Sequence, residues 1–347
     1  MKNKLIFFVL VLILLVSMVG YSTAADKNLK VGFVISSLHE PIFKAYEVYL
    51  KEAVIDAGTK AGYNVTFTTI SSDLDIAKES ANVRDMLAAG CDIIALNTID
   101  SKACFASIEE IHRLGKKVVM FCREADKSAT GSQIPDATIN MDSYSQAYTS
   151  INRTLEYMKQ DGVEVVDPIV AVGYMLDQNA INRLNGAHDA FMQAGIAIKQ
   201  IVSCGVWEPA VMLANLAPAL QANPNCNFIY TPSDSQLSGV QTALERAGKW
   251  APRGEKGHVY LAGTDVFPEG YILIAQKYEE ASEENPVWPN AVKTAESIVK
   301  LMNGETLENG GFFIIKGRVY DQDNYYKLDH TWAKDFSTED LSKYDPK

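Results

Sequence analysis

The fold turns on the stretch Leu29–Phe43, LKVGFVISSLHEPIF. Lys30–Ser36 is a short run of apolar and β-branched residues of strand length. A polar turn follows through Ser37, Leu38, His39 and Glu40. Pro41 stands where a first helical turn begins, a place that tolerates its missing N–H. From Ile42 onward apolar residues return at helical spacing, at Phe43, Tyr46, Leu50 and Val54. A buried parallel strand feeding a helix through such a turn puts the turn at the carboxyl end of a sheet, where open α/β sheets bind ligands. The turn has no glycine cradle, so it is not a phosphate loop. It offers ring faces and acceptors instead, His39, Glu40 and Phe43, of the kind a polyhydroxylated ligand needs. The stretch alone also admits a plainer account, with Phe43 in the core and Glu40 a solvated acid at a helix start.

Outward from this stretch the same unit repeats. Strands are expected at 64–70, 92–97, 117–121 and 137–141, with helices at 42–61, 75–89 and 102–114 closed by Gly62, Gly90 and Gly115. The pattern restarts with a helix at 144–160. Strands at 169–174, 197–203, 227–231 and 258–263 then alternate with helices at 182–194, 209–221, 235–247 and 268–277. One more strand is expected at 278–282. Asn285–Asn290, NPVWPN, reads as a break, followed by a helix at 291–302 and a last strand at 312–315. Apolar strands alternating with helices mean parallel sheets covered on both faces. The fold class is therefore α/β, with two doubly wound parallel-sheet domains in tandem. Beyond Gly317 the chain becomes polar and aromatic, with weak periodicity, and reads as an ordered surface tail.

The N-terminus is of another kind. Met1 to about Ala25 carries Lys2 and Lys4, an uninterrupted apolar run and then Ser-Thr-Ala-Ala. This is the pattern of a secretory signal peptide cleaved after Ala24 or Ala25, and its apolar run is short for a membrane span. The formal charge of −11 becomes two units more negative once Lys2 and Lys4 leave with it. Such a balance argues against a nucleic-acid surface and suits a soluble exported protein. The five cysteines show no CxxC spacing and read as small buried thiols rather than a disulfide framework, with one disulfide left open.

Polar or aromatic groups follow nearly every strand: Asn97–Asp100, Cys122–Glu124, Asp177–Arg183, Trp207–Glu208, Ser233–Asp234, Thr264–Asp265 and Asn285. One such turn is ordinary capping; a set of them around two sheets would form a cleft between domains. Arg123, facing that cleft, can give several donors to hydroxyls. Trp207 reads equally as a core staple.

Together these segments resemble the type I periplasmic substrate-binding proteins of sugar ABC transporters, in their ribose-, galactose- and inositol-binding branch. The likeness runs from Leu29 to about Ile315. It is carried by VGFVISSLHEPIF (Val31–Phe43), ANVRDMLAAGCDIIALNTIDSKA (Ala81–Ala103), GKKVVMFCRE (Gly115–Glu124), NRLNGAHDAFMQAG (Asn182–Gly195), YTPSDSQLSGVQTALERAG (Tyr230–Gly248) and LAGTDVFPEG (Leu261–Gly270). It implies two domains joined by a three-segment hinge. Their extents would be 29–141 with 286–310, and 142–285 with 311–320, before a surface tail at 321–347. It also implies binding by hinge closure over one ligand.

The implied ligand-binding residues begin with Glu40 and Phe43 in the first turn. Cys122 and Arg123 fall on an Asp-Arg pair, Trp207 on a stacking aromatic, and Ser233 and Asp234 on an Asn-Asp pair. Asp265 falls on an aspartate and Asn285 on a hinge amide. An arginine of the second domain has Ile181, Asn182 and Arg183 as its candidates. Cys122 departs from the pattern by removing a charged acceptor, Ser233 is shorter than asparagine, and Glu40 is charged where an amide is common. A different sugar, a polyol or a modified ligand follows from these departures.

The implied protein is periplasmic and monomeric. It binds a monosaccharide or polyol, uses no cofactor or metal, and serves an ABC transporter permease. The same fold also serves sensors that present a ligand to a chemoreceptor or sensor histidine kinase. No GxSxG, HExxH or Walker loop is present, and Asp321–Asn324 lacks the glycine and closing glutamate of a calcium loop. Asp234 and Asp265 could suggest a glycosidase acid pair, but a binder uses the same acids to accept from hydroxyls.

Overall fold

The computed structural model describes residues 27–328 and 331–346. The apolar leader, Met1 to about Ala25, lies outside the described residues. Within them the chain forms two α/β lobes, each built on a six-stranded sheet.

The first sheet has the order β2 (Tyr63–Ser71), β1 (Lys27–Ile35), β3 (Ile93–Asn97), β4 (Lys117–Phe121), β5 (Ala137–Met141) and β11 (Phe312–Ile315), all parallel. The second has β7 (Gln200–Ser203), β6 (Pro168–Val172), β8 (Phe228–Tyr230), β9 (Tyr260–Asp265), β10 (Ala281–Glu284) and β12 (Val319–Asp321), of which β12 alone is antiparallel to its neighbour. Central strands are buried on both faces, so Val31, Phe33 and Ile35 of β1 pack on one side and Val34 on the other. Gly32 in β1 admits the close approach of Met86, Cys91 and Ile94, whose atoms would stand 3.0–3.1 Å from an added Cβ. Helix α1 (Pro41–Lys60) starts at the expected proline, and Gly62 after it takes the left-handed φ of +81° that closes a helix.

Three segments cross between the lobes. The first leaves β5 at Met141 and enters α4 (Ser143–Gln160). The second leaves β10 at Glu284 and enters α9 (Val287–Met302). The third joins β11 to β12. Asp142 N donates to Ile315 O at 3.0 Å and Glu284 N to Arg318 O at 2.9 Å, so the crossing strands are tied side by side.

The structure departs from the sequence expectations in four places. Phe312–Ile315 belongs to the first sheet, paired with β5, and not with the second domain at 311–320; the crossover lies between Ile315 and Val319. The break expected at Asn285–Asn290 is confined to Asn285 and Pro286; 287–290 is the first turn of α9, because a proline such as Pro289 costs no hydrogen bond where the N–H groups have no helical partners. The segment 321–347 is more than a surface tail. Trp332 is 2% exposed and packs in the core beside α1, while Tyr325, Ala333 and Leu341 pack on the second lobe with Tyr271 and Ile274. The strand expected at 278–282 runs later, as Ala281–Glu284, since its buried glutamates hide an apolar pattern: Glu284 is bound by Arg318 at 2.6 Å.

All five cysteines are buried and free. No helix of the described residues is long and apolar enough to cross a membrane.

Candidate functional site

The carboxyl ends of the two sheets face each other, and the lobes meet there. Ser101 N donates to Leu176 O at 3.0 Å, and Gln178 N to Ser101 Oγ at 3.1 Å. Asn140 Nδ2 donates to Asn179 Oδ1 at 2.7 Å, and Asn179 Nδ2 to Cys122 O at 3.1 Å. These contacts hold the lobes closed over a small cavity of about 40 Å³.

The first lobe supplies one wall. Glu40 is the residue before α1, in an extended conformation with no side-chain capping bond, so its carboxylate is free to face the cavity. Burial pushes that carboxyl up to about 7, with Asp265 adding to the shift and Arg123 opposing it. Phe43 lies in the same wall, its ring edge-on to Tyr46 at 5.9 Å between centroids, and Tyr46 edge-on to Phe121 at 5.4 Å. Phe43 is thus core and cleft at once, 6% exposed. After β4 the chain turns at Cys122, at φ +54°, which directs Arg123 across the cleft. Arg123 Nη1 reaches Asp177 Oδ2 of the other lobe at 2.9 Å. The Cys122 thiol, held well above its usual range by burial, accepts from Asn290 Nδ2 at 3.4 Å.

The second lobe supplies the opposite wall. Asp177 caps α5 (Gln178–Gln193), accepting from Asn179 N at 3.0 Å; burial raises its pKa and Arg123 opposes the rise. One turn into α5, Arg183 is fully committed. It donates to Gln146 Oε1 at 2.8 and 3.1 Å, to Pro232 O at 2.7 Å and to Asp265 Oδ1 at 2.6 Å. Trp207 sits at φ +62° with its ring against Gly173, where an added Cβ would come within 2.2 Å of it. The Trp207 ring lies 5.8 Å from the Arg183 guanidinium, and its Nε1 has no hydrogen-bond partner in the protein. Asp265 and Val266 both adopt positive φ, +87° and +53°, a strained pair held by the packing around them. Asn285, in the second crossing segment, donates to Tyr46 OH at 2.6 Å and to Asp265 Oδ1 at 3.3 Å, while its Oδ1 is buried without a partner.

Glu40, Phe43, Cys122, Arg123, Arg183, Trp207, Ser233, Asp265 and Asn285 are therefore brought to one cavity. Asn182 and Asp234 are not. Asn182 lies on the flank of α5 at the rim, bonded to Glu124 Oε1 at 3.0 Å, because one helical step turns it about 100° from Arg183. Asp234 is buried behind the cleft, where Phe267 N at 3.2 Å and Ser282 Oγ at 3.0 Å donate to it under the loop that carries Asp265. Tyr46, Met141, Asp177 and Asn179 also line the cavity and were not singled out one by one in the sequence. The Asp-x-Asn spacing of Asp177 and Asn179, a helix cap after a strand, is the signal that marks the last two. No group of three or more His, Cys, Asp or Glu side chains among the described residues is placed to hold a metal ion.

A family described as periplasmic binding protein domain matches residues 31–306. The chain belongs to that family. Among its relatives is the ribose import binding protein of Escherichia coli K12, 24% identical over 303 residues, which cover 85% of this chain and 93% of the relative. The D-allose-binding periplasmic protein of the same organism is 25% identical over 258 residues, 73% of this chain and 78% of that one. A solved ABC transporter solute-binding protein from Mycobacterium smegmatis, with bound glycerol, matches at a TM-score of 0.72 and 19% identity, covering 88% of this chain and 98% of its own. This periplasmic binding protein shares their two-lobed type I fold.

Proposed function

We propose that the protein captures a monosaccharide or a related polyol between its lobes by hinge closure and delivers it to an ABC transporter permease in the periplasm, as a monomer exported by its leader. The observation that carries this reading is the cavity wall. Trp207 Nε1 and Asn285 Oδ1 are an orphan donor and an orphan acceptor, set beside the aromatic faces of Phe43 and Tyr46. Ring C–H groups and alternating hydroxyls satisfy that set. The relatives named for ribose and D-allose support the same substrate class. Binding rather than catalysis is the reading, since Asp265 is engaged by Arg183 and Asp234 lies behind the wall.

A thermal-shift screen of protein unfolded and refolded to remove carried ligand tests it, against pentoses, hexoses, polyols and nucleosides. A ligand at a hundredfold excess over its dissociation constant adds about 2.7 kcal/mol of stability. A clear rise in melting temperature with one sugar or polyol is expected. A flat response to the whole set, or a new reducing end released from a disaccharide, overturns the reading.

A further inference from the structure

The charges lining the cleft do not balance, and the imbalance falls on one residue. Glu40, Asp177 and Asp265 face only two guanidinium groups. Arg123 is engaged by Asp177 at 2.9 Å and Arg183 by Asp265 at 2.6 Å. Glu40 is the carboxylate left over, and no side-chain hydrogen bond or ion pair holds it among the described residues. The nearest basic side chains along the chain turn elsewhere: His39 toward Asp73 at 3.8 Å, and Lys44 to Glu47. From the other elements packed around it, Glu40 is faced by Asp265, by the already engaged Arg123, and by the Cys204 thiol.

Closing two lobes over an unpaired carboxylate costs its desolvation. A ligand meets that cost in one of two ways: it brings a cation, or it binds Glu40 in the protonated form. The rings of Phe43 and Tyr46, three residues apart on the helix that Glu40 precedes, line the same wall. A carboxylate beside aromatic faces is the chemistry that recognises an ammonium group.

The geometry points to an aminated monosaccharide or amino-polyol as the ligand, its nitrogen against Glu40 and its hydroxyls against Asn285 and Trp207. This rests on the sugar-binding reading above and narrows its substrate class. The ammonium supplies the missing positive charge, and Glu40 is ionised in the closed, ligand-bound form.

The two ways of meeting Glu40 exchange protons with opposite sign. In the closed cleft burial pushes the Glu40 carboxyl up to about 7, so at pH 6 the closed form without ligand holds most of it protonated. An ammonium ligand expels that proton, whereas a neutral sugar retains it or draws one in. Calorimetric titrations of the refolded protein at pH 6, in buffers of different ionisation heat, read this sign directly. The probes are D-glucose, D-galactose, D-mannose and D-ribose, with glucosamine, galactosamine and mannosamine. At least one amino sugar is expected to bind tenfold or more tightly than its hydroxyl parent, with proton release. Glu40→Gln, checked for folding by circular dichroism, is expected to remove that tenfold preference and the proton release. Neutral sugars binding as tightly as their amino counterparts, or a preference that survives in Glu40→Gln, overturns the inference and leaves sugar capture standing. No binding by any of these probes also overturns the inference, while capture of a sugar or polyol is decided by the wider thermal-shift screen above.

Discussion

Arg123 of the first lobe and Asp177 of the second form an ion pair, Nη1 to Oδ2 at 2.9 Å, with both side chains nearly buried. The pair bridges the cleft, so it exists only while the lobes are closed. Truncating one member of a buried charge pair costs about 2–5 kcal/mol, much of it the penalty of leaving the other charge unpaired. Arg123→Ala and Asp177→Ala should each weaken ligand binding roughly 30-fold or more. Both should raise the radius of gyration of the ligand-free protein in small-angle X-ray scattering. The double variant should bind better than the sum of the two losses predicts. Additive losses with unchanged scattering would show that the pair does not couple the lobes.

The Trp207 ring occupies the space above Gly173, and that contact can be disturbed from either side. An added Cβ at Gly173 would stand 2.2 Å from the ring, so Gly173→Ala must displace the indole. Overpacking of this kind costs about 1–3 kcal/mol. Gly173→Ala and Trp207→Ala should therefore both lower affinity by tenfold or more in calorimetry, although the first adds a methyl group and the second removes a ring. Normal affinity in Gly173→Ala would remove Trp207 from the binding wall.

Asp234 and Asp265 stand at the ends of neighbouring strands and read alike in the sequence, yet they face opposite ways. Asp265 accepts from Arg183 and Asn285 within the cavity; Asp234 accepts from Phe267 N and Ser282 Oγ behind it. Hydrogen bonds to charged groups are worth about 1.5–3 kcal/mol. Asp265→Asn should lower affinity at least tenfold, while Asp234→Asn should change it by less than about threefold. A larger effect on binding from Asp234→Asn would return that residue to the site.

This contrast marks what could be read from the residues. Strand-helix alternation, the glycine stops and the first turn made the two parallel sheets and most cleft residues legible. Strand ends point at the cleft whatever follows them, so Glu40, Arg123, Trp207, Ser233 and Asp265 were recoverable. Which of two adjacent polar residues faces the ligand depends on local φ, ψ and helix phase. Asn182 against Arg183, and Ser233 against Asp234, could not be separated without coordinates. Strand β10, with buried glutamates, and Trp332, far from any periodic segment, carried no apolar pattern at all.

Glu79 gives the protein a pH dependence of defined sign. It is 2% exposed and accepts from Thr98 Oγ1 at 2.7 Å and from Ile99 N at 2.8 Å, yet burial outweighs these bonds and pushes its carboxyl up to about 7. An acid raised in the folded state binds more protons there than when unfolded, so its stability contribution falls as pH rises through the window from about 4.5 to 7. At 1.36 kcal/mol per unit the loss is about 3 kcal/mol. Relative to Glu79→Gln, the parent protein should melt progressively lower as pH is raised from 5 to 8. A constant difference between the two melting curves across that range would contradict the assignment.

Trp332 ties the C-terminal segment to the site from behind. Its Nε1 donates to the backbone carbonyl of Asp265 at 3.0 Å, and its ring packs edge-on to Phe267 at 4.9 Å between centroids. Asp265 and Val266 both hold positive φ, so this bond restrains the part of the chain where the backbone is strained. Removing the ring from a buried site costs about 3–5 kcal/mol. Trp332→Phe keeps most of the packing and removes the donor, so the two contributions separate. Trp332→Ala should lower the melting temperature by several degrees, by roughly 1–2 °C per kcal/mol for a chain of this size. Trp332→Phe should cost far less stability and still weaken ligand binding several-fold, because Asp265 loses the bond that fixes its carbonyl. If Trp332→Phe binds ligand as tightly as the parent, the segment supports only the fold and not the geometry of Asp265.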